Sequence, residues 1–172
     1  MNNSEVTLHI VEWIKDYVKS SDYNIKSLIV GVSGGIDSAL TSTLCAMTGI
    51  PTIVIKIPLK TKNSSLSKLH CDFLLSKYSN VKVYEVDLSD TFDKFHETCV
   101  KSDFINDLGF ANSKSRLRMM LLYQASASFS GIVVGTGNKV EDFGVGFFTK
   151  YGDGGVDISP IADCTKTQVW EL

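Results

Sequence analysis

The stretch Val30-Gly31-Val32-Ser33-Gly34-Gly35-Ile36-Asp37-Ser38 decides the fold. An apolar run, Ser27-Leu28-Ile29-Val30-Gly31-Val32, leads into it, and Ala39-Leu40-Thr41-Ser42-Thr43-Leu44-Cys45-Ala46 leads out. The pattern is that of a buried strand, a tight glycine turn and a helix. Such a turn aims free backbone N–H groups and the positive end of a helix at one spot, which suits phosphate. Gly34 and Gly35 can adopt positive φ and let an anion approach the backbone closely. Ser33 and Ser38 add hydroxyl donors. Asp37 is the odd member, because a carboxylate repels phosphate unless a cation stands between them. A bound Mg²⁺ resolves that conflict. The plainer alternative is an ordinary strand–helix turn with Asp37 at the helix start. No Gly-Lys-Ser/Thr follows, so this is not a Walker loop.

Outward from this loop, strand-like and helix-like runs alternate. Val6, Ile10, Trp13, Ile14 and Tyr17 recur at helical spacing and predict an amphipathic first helix, with Ser4 as its cap. Strands are predicted over 28–32, 52–57, 81–86 and 131–135. Continuous β-branched residues in 52–57 fit a strand covered on both faces. Helices are predicted over 38–47, from Leu66 with Leu69, Phe73 and Leu74 inward, over 89–99 with Phe92 and Phe95 inward, and over 113–128. In the last, Leu117, Met120, Leu121, Gln124 and Ala125 face in. A polar loop is expected at 60–65, a connector at 101–109, a glycine-rich aromatic loop at 143–155 and an extended piece at 157–161. A final helix begins at Thr165. Strands alternating with helices imply an α/β fold, a doubly wound parallel sheet flanked by helices. Ligands in such sheets sit beyond the carboxyl ends of the strands, which points to 33–38, 56–60 and 136–142.

Composition sets bounds on function. A chain of 172 residues, 44% hydrophobic and 21% charged, fits one domain with a real core. A net charge of −2 argues against a general binder of nucleic acid or membrane surfaces. Cys45, Cys71, Cys99 and Cys164 are widely spaced with no Cys-x-x-Cys, so zinc and redox-pair readings are weak. The polar start, Met1-Asn2-Asn3-Ser4-Glu5, is unlike a cleavable signal, and no apolar run approaches membrane-spanning length. A reducing, cytoplasmic setting is expected.

Ser33-Gly34-Gly35-Ile36-Asp37-Ser38 resembles the pyrophosphate-binding loop of the N-type ATP pyrophosphatases, whose pattern is Ser-Gly-Gly-x-Asp-Ser. Three further blocks narrow that resemblance. Asn112-Ser113-Lys114-Ser115-Arg116-Leu117-Arg118-Met119 looks like an Asn-x-Lys-x-Arg-x-Arg-Met helix. Gly135-Thr136-Gly137-Asn138-Lys139-Val140-Glu141 looks like a Gly-Thr-x-x-x-x-Glu segment. Gly146-Phe147-Phe148-Thr149-Lys150-Tyr151-Gly152-Asp153-Gly154-Gly155-Val156-Asp157 matches a third, and Pro160 and Lys166 fall in its continuation. Together the chain resembles the synthetase domain of the NAD synthetase family. This implies a Rossmann-like fold of the adenine nucleotide alpha hydrolase type.

The resemblance also implies a reaction. ATP adenylates the nicotinate carboxylate of deamido-NAD and releases pyrophosphate; ammonia then displaces AMP to leave the amide of NAD. By the same resemblance Gly31, Val32, Ser33, Gly34, Gly35, Ile36, Asp37 and Ser38 wrap the ATP phosphates, and Thr136 and Lys166 also bind ATP. Asp37 and Glu141 hold Mg²⁺, with Asp142 a competing candidate for the metal. Arg116, Lys150 and Asp157 hold deamido-NAD. Asp37, Asp153 and Lys166 form the catalytic set, and Lys56 stands near ATP. Taken singly, each residue has a bland reading as a solvated charge or a helix cap. Their order and spacing against one family lift them.

The resemblance further implies a homodimer, with residues 1–172 a single synthetase domain that lacks the family's C-terminal part. Free ammonia is the expected nitrogen donor, because the chain starts immediately before the first helix of that domain. Two other readings compete. One is a different pyrophosphatase with the same loop, such as a GMP-synthetase-like or tRNA-thiolating enzyme. The other is a truncated ATP-binding module without turnover.

Overall fold

The computed structural model describes residues 2–59 and 65–172. The predicted 60–65 loop falls almost wholly outside them. Helix α1, Asn3–Ser20, starts in a capping box. The Asn2 side chain accepts the Glu5 N–H at 2.9 Å, and the Glu5 carboxylate accepts the Asn2 N–H at 2.9 Å. The cap therefore lies two residues before the expected Ser4. The buried stripe is Ile10, Val11 and Ile14. Trp13 and Tyr17 were expected inward, yet they stand in solvent with their rings 6.0 Å apart.

Four parallel strands form the sheet: β1 Ser27–Gly31, β2 Thr52–Lys56, β3 Val81–Glu85 and β4 Gly131–Val133, in the order β3-β2-β1-β4. Leu28 lies opposite both Thr52 and Ile132, which sets the register across the centre. From β1 the chain runs through helix α2, Ile36–Met47, to β2, and through α3, Ser65–Lys77, to β3. It then returns by α4, Ser89–Lys101, and α5, Asp107–Ser128, to add β4 on the other side of β1. The strand order thus reverses between β1 and β4, and a crevice opens at their carboxyl ends. This bears out the doubly wound reading.

Side chains alternate across the central strand as period two requires. Leu28 and Val30 pack with Ile10, Ile14, Leu44, Ile161 and Val169 on one face. Ile29 packs with Ile53, Ile55, Met119, Leu122 and Val133 on the other. A third cluster, Val32, Ala46, Val54, Cys71, Leu74 and Val81, joins α2 and α3 to the sheet.

Several helices are turned from the expected phase. In α3 the buried residues are Ser67, Cys71 and Leu74, whereas Leu66, Leu69 and Phe73 are exposed. Small side chains on the inner face let that helix sit close to the sheet. In α4 only Phe92 of the two phenylalanines is buried; Phe95 is exposed. Helix α5 begins at Asp107, six residues before the expected Ser113, so the last three residues of the 101–109 connector are helical. Asn106 caps it by accepting the Gly109 N–H at 2.7 Å. Its inner face is Met119, Leu122 and Ser126; Leu121 and Ala125 lie at the margin, while Met120 and Gln124 point out. Ser126 is tolerated there because its hydroxyl donates to the Gly131 carbonyl at 2.7 Å.

Beyond β4, Val134 pairs with Ile158 in a parallel bridge, the one paired residue of the expected 157–161 extended piece. The start of the aromatic loop is a π-helical turn, Lys139–Val145, closed by Gly146 at φ 70°. Helix α6, Lys166–Glu171, starts where expected, with Thr165 and Gln168 in a capping box.

Candidate functional site

The turn after β1 folds onto itself through its serines. Gly34 takes φ 92°, whereas Gly35 sits at φ −82° as the N-cap of α2, so one glycine of the pair needs the left-handed region. The Ser38 hydroxyl donates to the Gly35 carbonyl at 2.9 Å and accepts the Ser33 N–H at 3.3 Å. The Gly35 N–H reaches Ser33 Oγ at 3.3 Å. The turn is closed by these contacts, and the first N–H groups of α2 face the end of the sheet.

Asp37, in the first turn of α2, is tied to two segments far along the chain. Its Oδ1 accepts from Asn138 Nδ2 at 3.0 Å, and its Oδ2 from Lys166 Nζ at 2.5 Å. Lys166 also donates to Glu141 Oε1 at 3.0 Å. Asn138 is fully buried and accepts the N–H groups of Val140 and Glu141 at 3.1 Å each. It therefore caps the π-helical turn and aims Asp37 at the same time. Desolvation opposes the charge on Lys166, but the hydrogen bonds and charges of Asp37 and Glu141 outweigh it and hold the ammonium above the ordinary lysine value.

Asp142 lies beside this group. Burial first, then the charges of Asp153, Glu141 and Asp37, push its carboxyl above the ordinary range. Gly137 makes room for it: a Cβ there would stand 1.8 Å from Asp142 Oδ2.

A cleft of about 540 Å³ opens beside the turn. Its floor is apolar, with Val32, Ile55, Ile57, Leu122, Val134 and Val156. Ser33, Lys56, Thr136, Asp153 and Arg118 supply polar groups. All three segments expected from topology contribute to it: Ser33 from the first, Lys56 through Pro58 from the second, Thr136 from the third. Lys56 is ion-paired with Glu85. Arg118 is half-buried and donates from Nε to the Ile57 carbonyl at 3.2 Å; burial lowers its pKa.

The glycine-rich segment is fastened to α5. Asp153 Oδ1 accepts from Ser115 Oγ at 2.6 Å and from the Thr149 N–H at 3.0 Å, and Thr149 Oγ1 donates to Asn112 at 3.0 Å. Arg116 Nε donates to the Lys150 carbonyl at 3.0 Å, and the Lys150 ammonium lies over the Tyr151 ring at 5.2 Å. Asp157 is tied to β4 and α5. Its Oδ2 accepts the Val133 N–H at 2.7 Å and its Oδ1 the Tyr123 hydroxyl at 3.1 Å. Burial, then Asp157, push the Tyr123 phenol up to about 12.

Asp37, Glu141 and Lys166 are thus brought into direct contact. Gly31, Val32, Ser33, Thr136 and Asp153 line the adjacent cleft, whereas Arg116, Lys150 and Asp157 stand apart from its walls. Asn138 and Ser115 were not singled out from sequence. Asn138 carried a signal, an asparagine after a glycine and before a helical turn, which is a cap position. Ser115 carried none, because its partner is 38 residues away.

Fold and site together define a doubly wound α/β protein with a serine- and glycine-rich turn at its switch point. The chain belongs to the NAD synthase family, whose sequence model matches residues 6–172. It is 40% identical over 166 residues to the NH3-dependent NAD(+) synthetase of Mycoplasmopsis pulmonis, covering 95% of this chain and 61% of that protein. The NMN synthetase of Francisella tularensis superposes with a TM-score of 0.89 at 30% identity, over 100% of this chain and 69% of that one. The NH3-dependent NAD synthetase of Campylobacter jejuni superposes with a TM-score of 0.86 at 28% identity, over 99% and 71%. The chain spans about three-fifths of the length of the curated relatives it matches first, 57% to 63%.

Proposed function

We propose that this protein carries out the ATP-dependent amidation of deamido-NAD with ammonia, through an adenylated carboxylate, with release of pyrophosphate and AMP. Family membership and the names of the relatives support the reaction class. The observation that carries the reading is the Asp37–Lys166–Glu141 contact at the switch point, beside an intact phosphate turn.

In this reading the N–H groups of the 33–38 turn and the start of α2 hold triphosphate oxygens, and the apolar cleft takes the adenine. A carboxylate is a poor electrophile, so adenylation is needed to supply a leaving group. Adenylation itself brings two anions together, the carboxylate and the triphosphate, and fixed positive groups favour that encounter. Lys166 stays protonated and offers its ammonium to the phosphates. Asp153 is turned to the cleft by Ser115 and Thr149. It either orients the acceptor carboxylate's partner groups or guides ammonia. Arg116, Lys150 and Asp157 are assigned to the dinucleotide acceptor on the family resemblance.

The donor set also suits Mg²⁺. Asp37 and Glu141 are hard oxygen donors that converge on one cationic nitrogen, and Asn138 holds the remaining Asp37 oxygen. Asp37 and Glu141 would hold the ion, in preference to Asp142, which shares no cation with them. When bound, it would neutralise charge on the phosphates and the leaving pyrophosphate.

We further propose a homodimer in a reducing cytoplasm. Exposed Phe95 of α4, Phe104 and Ile105 of the connector between α4 and α5, and Leu108 of α5 offer apolar surface for a second copy. All four cysteines are free thiols. Among the described residues no helix is long and apolar enough to cross a membrane.

Incubating the protein with ATP, magnesium, ammonium and deamido-NAD should yield NAD, AMP and pyrophosphate in equal amounts. The likeness to an NMN synthetase favours one second reading, in which the corresponding mononucleotide is the acceptor. A parallel assay with that mononucleotide decides between them. ATP binding without pyrophosphate release from either acceptor would leave a binding module without turnover.

A further inference from the structure

We propose that His70 is a positioning residue for the phosphate turn, acting through Ser42. The inference rests on reading 33–38 as an ATP phosphate site. Ser42 lies in the second turn of α2 and is fully buried. Its Oγ stands 2.7 Å from the Ser38 carbonyl, 3.1 Å from the Ala39 carbonyl and 2.8 Å from His70 Nε2 on α3. Two carbonyl oxygens can only accept, so the single Ser42 hydrogen is directed to them. With that hydrogen so placed, His70 is the donor in the remaining contact, and we assign its hydrogen to Nε2. Burial lowers the His70 pKa, which favours the neutral ring.

Two sets of hydrogen bonds meet at Ser38, one on its carbonyl and one on its hydroxyl. His70 Nε2–H donates to Ser42, Ser42 donates to the Ser38 carbonyl, and the Ser38 hydroxyl donates to the Gly35 carbonyl while accepting the Ser33 N–H. A serine bonded back to the carbonyl four residues earlier bends its helix locally, so Ser42 sets the tilt of the first turn of α2. His70 removes the freedom of Ser42 to turn elsewhere. The N–H groups that face the phosphates are thereby aimed from α3, a helix that contributes His70 from outside the turn itself.

The test is calorimetric titration of ATP into the unchanged protein and into His70→Leu, His70→Gln, Ser42→Ala and the Ser42→Ala/His70→Leu double variant, with thermal midpoints measured alongside. His70→Leu leaves a buried hydroxyl short of one donor and should weaken ATP binding about tenfold. The glutamine amide N–H reaches where Nε2 stands and should restore affinity to within about twofold. The double variant should bind no more weakly than Ser42→Ala alone. A lowered midpoint in His70→Leu with unchanged ATP affinity would make His70 a packing residue and overturn the inference. So would strictly additive losses in the double variant. If His70→Leu does not fold, His70→Asn, whose amide is too short to reach, takes its place. No ATP binding by the unchanged protein would overturn the phosphate-site reading, and this inference with it.

Discussion

Lys166 is the residue on which the site closes, since it spans two carboxylates contributed by segments 104 residues apart in the chain (Asp37 and Glu141). Replacing it with Met removes the fixed positive charge. The amidation rate should fall by about 10²- to 10³-fold, read as kcat/KM for ATP. The same variant has a pH signature. A lysine whose folded pKa is raised contributes stability that is present below the ordinary lysine value and lost as pH rises through the folded one. The thermal midpoint of Lys166→Met should therefore decline less steeply at alkaline pH than that of the unchanged protein. Tyr123 supplies a second titration. Its phenol is held at about 12, so its neutral form stabilises the fold below the ordinary tyrosine value and that contribution is lost as pH rises through about 12. In an ultraviolet titration of tyrosinate, the last ionisation should disappear in Tyr123→Phe. Asp157→Asn should move it down, because the charge beside the phenol is gone.

At the scale of elements, β1 is the piece everything else is aligned on, and Gly131 shows how tightly β4 is laid against it. A Cβ at Gly131 would stand 2.3 Å from Ser27 Oγ and 2.7 Å from the Ser27 carbonyl. Backbone cannot move aside cheaply, so Gly131→Ala should cost about 1–3 kcal/mol in urea unfolding. The loss falls on the β1–β4 pair, which frames the switch point. The existence of each strand and α-helix was legible from hydrophobic runs and punctuation, but that of the π-helical turn was not. The faces of α3, α4 and α5 were not. Large apolar residues occur on both sides of these helices, and the faces that pack carry Ser67, Cys71 and Ser126, which weigh little in a periodicity. The start of α5 was missed because its first two turns hold Gly109 and Asn112, poor helix formers that Asn106 compensates as a cap.

For the whole molecule, one apolar cluster links the first helix to the last. Ile10, Val11 and Ile14 of α1 pack with Leu28 and Val30 of β1, Leu44 of α2, and Ile161 and Val169 near the end of the chain. Lys166 lies three residues before Val169, so the packing of α6 in this cluster is what carries the ammonium to Asp37. Ile14 has no solvent exposure. Ile14→Ala should destabilise the protein by about 2–5 kcal/mol in urea unfolding. If α6 docks through this cluster as described, ATP affinity should fall in step with stability. An equal stability loss with unchanged ATP affinity would separate the core from the site.

Read alone, the chain determined the order of strands and helices, the phosphate-type turn and the family blocks, because these depend on local spacing. It also marked Asp37 as a carboxylate in need of a cation. The tertiary structure alone brought Lys166 against that carboxylate, since it is 129 residues from Asp37 and meets it only when β4, the π-helical turn and α6 close around β1. It likewise decided that Asn138 aims Asp37, that Ser115 holds Asp153, and that Asp157 is engaged with β4 and Tyr123. Each of these is a contact between distant segments, set by packing rather than by local sequence spacing.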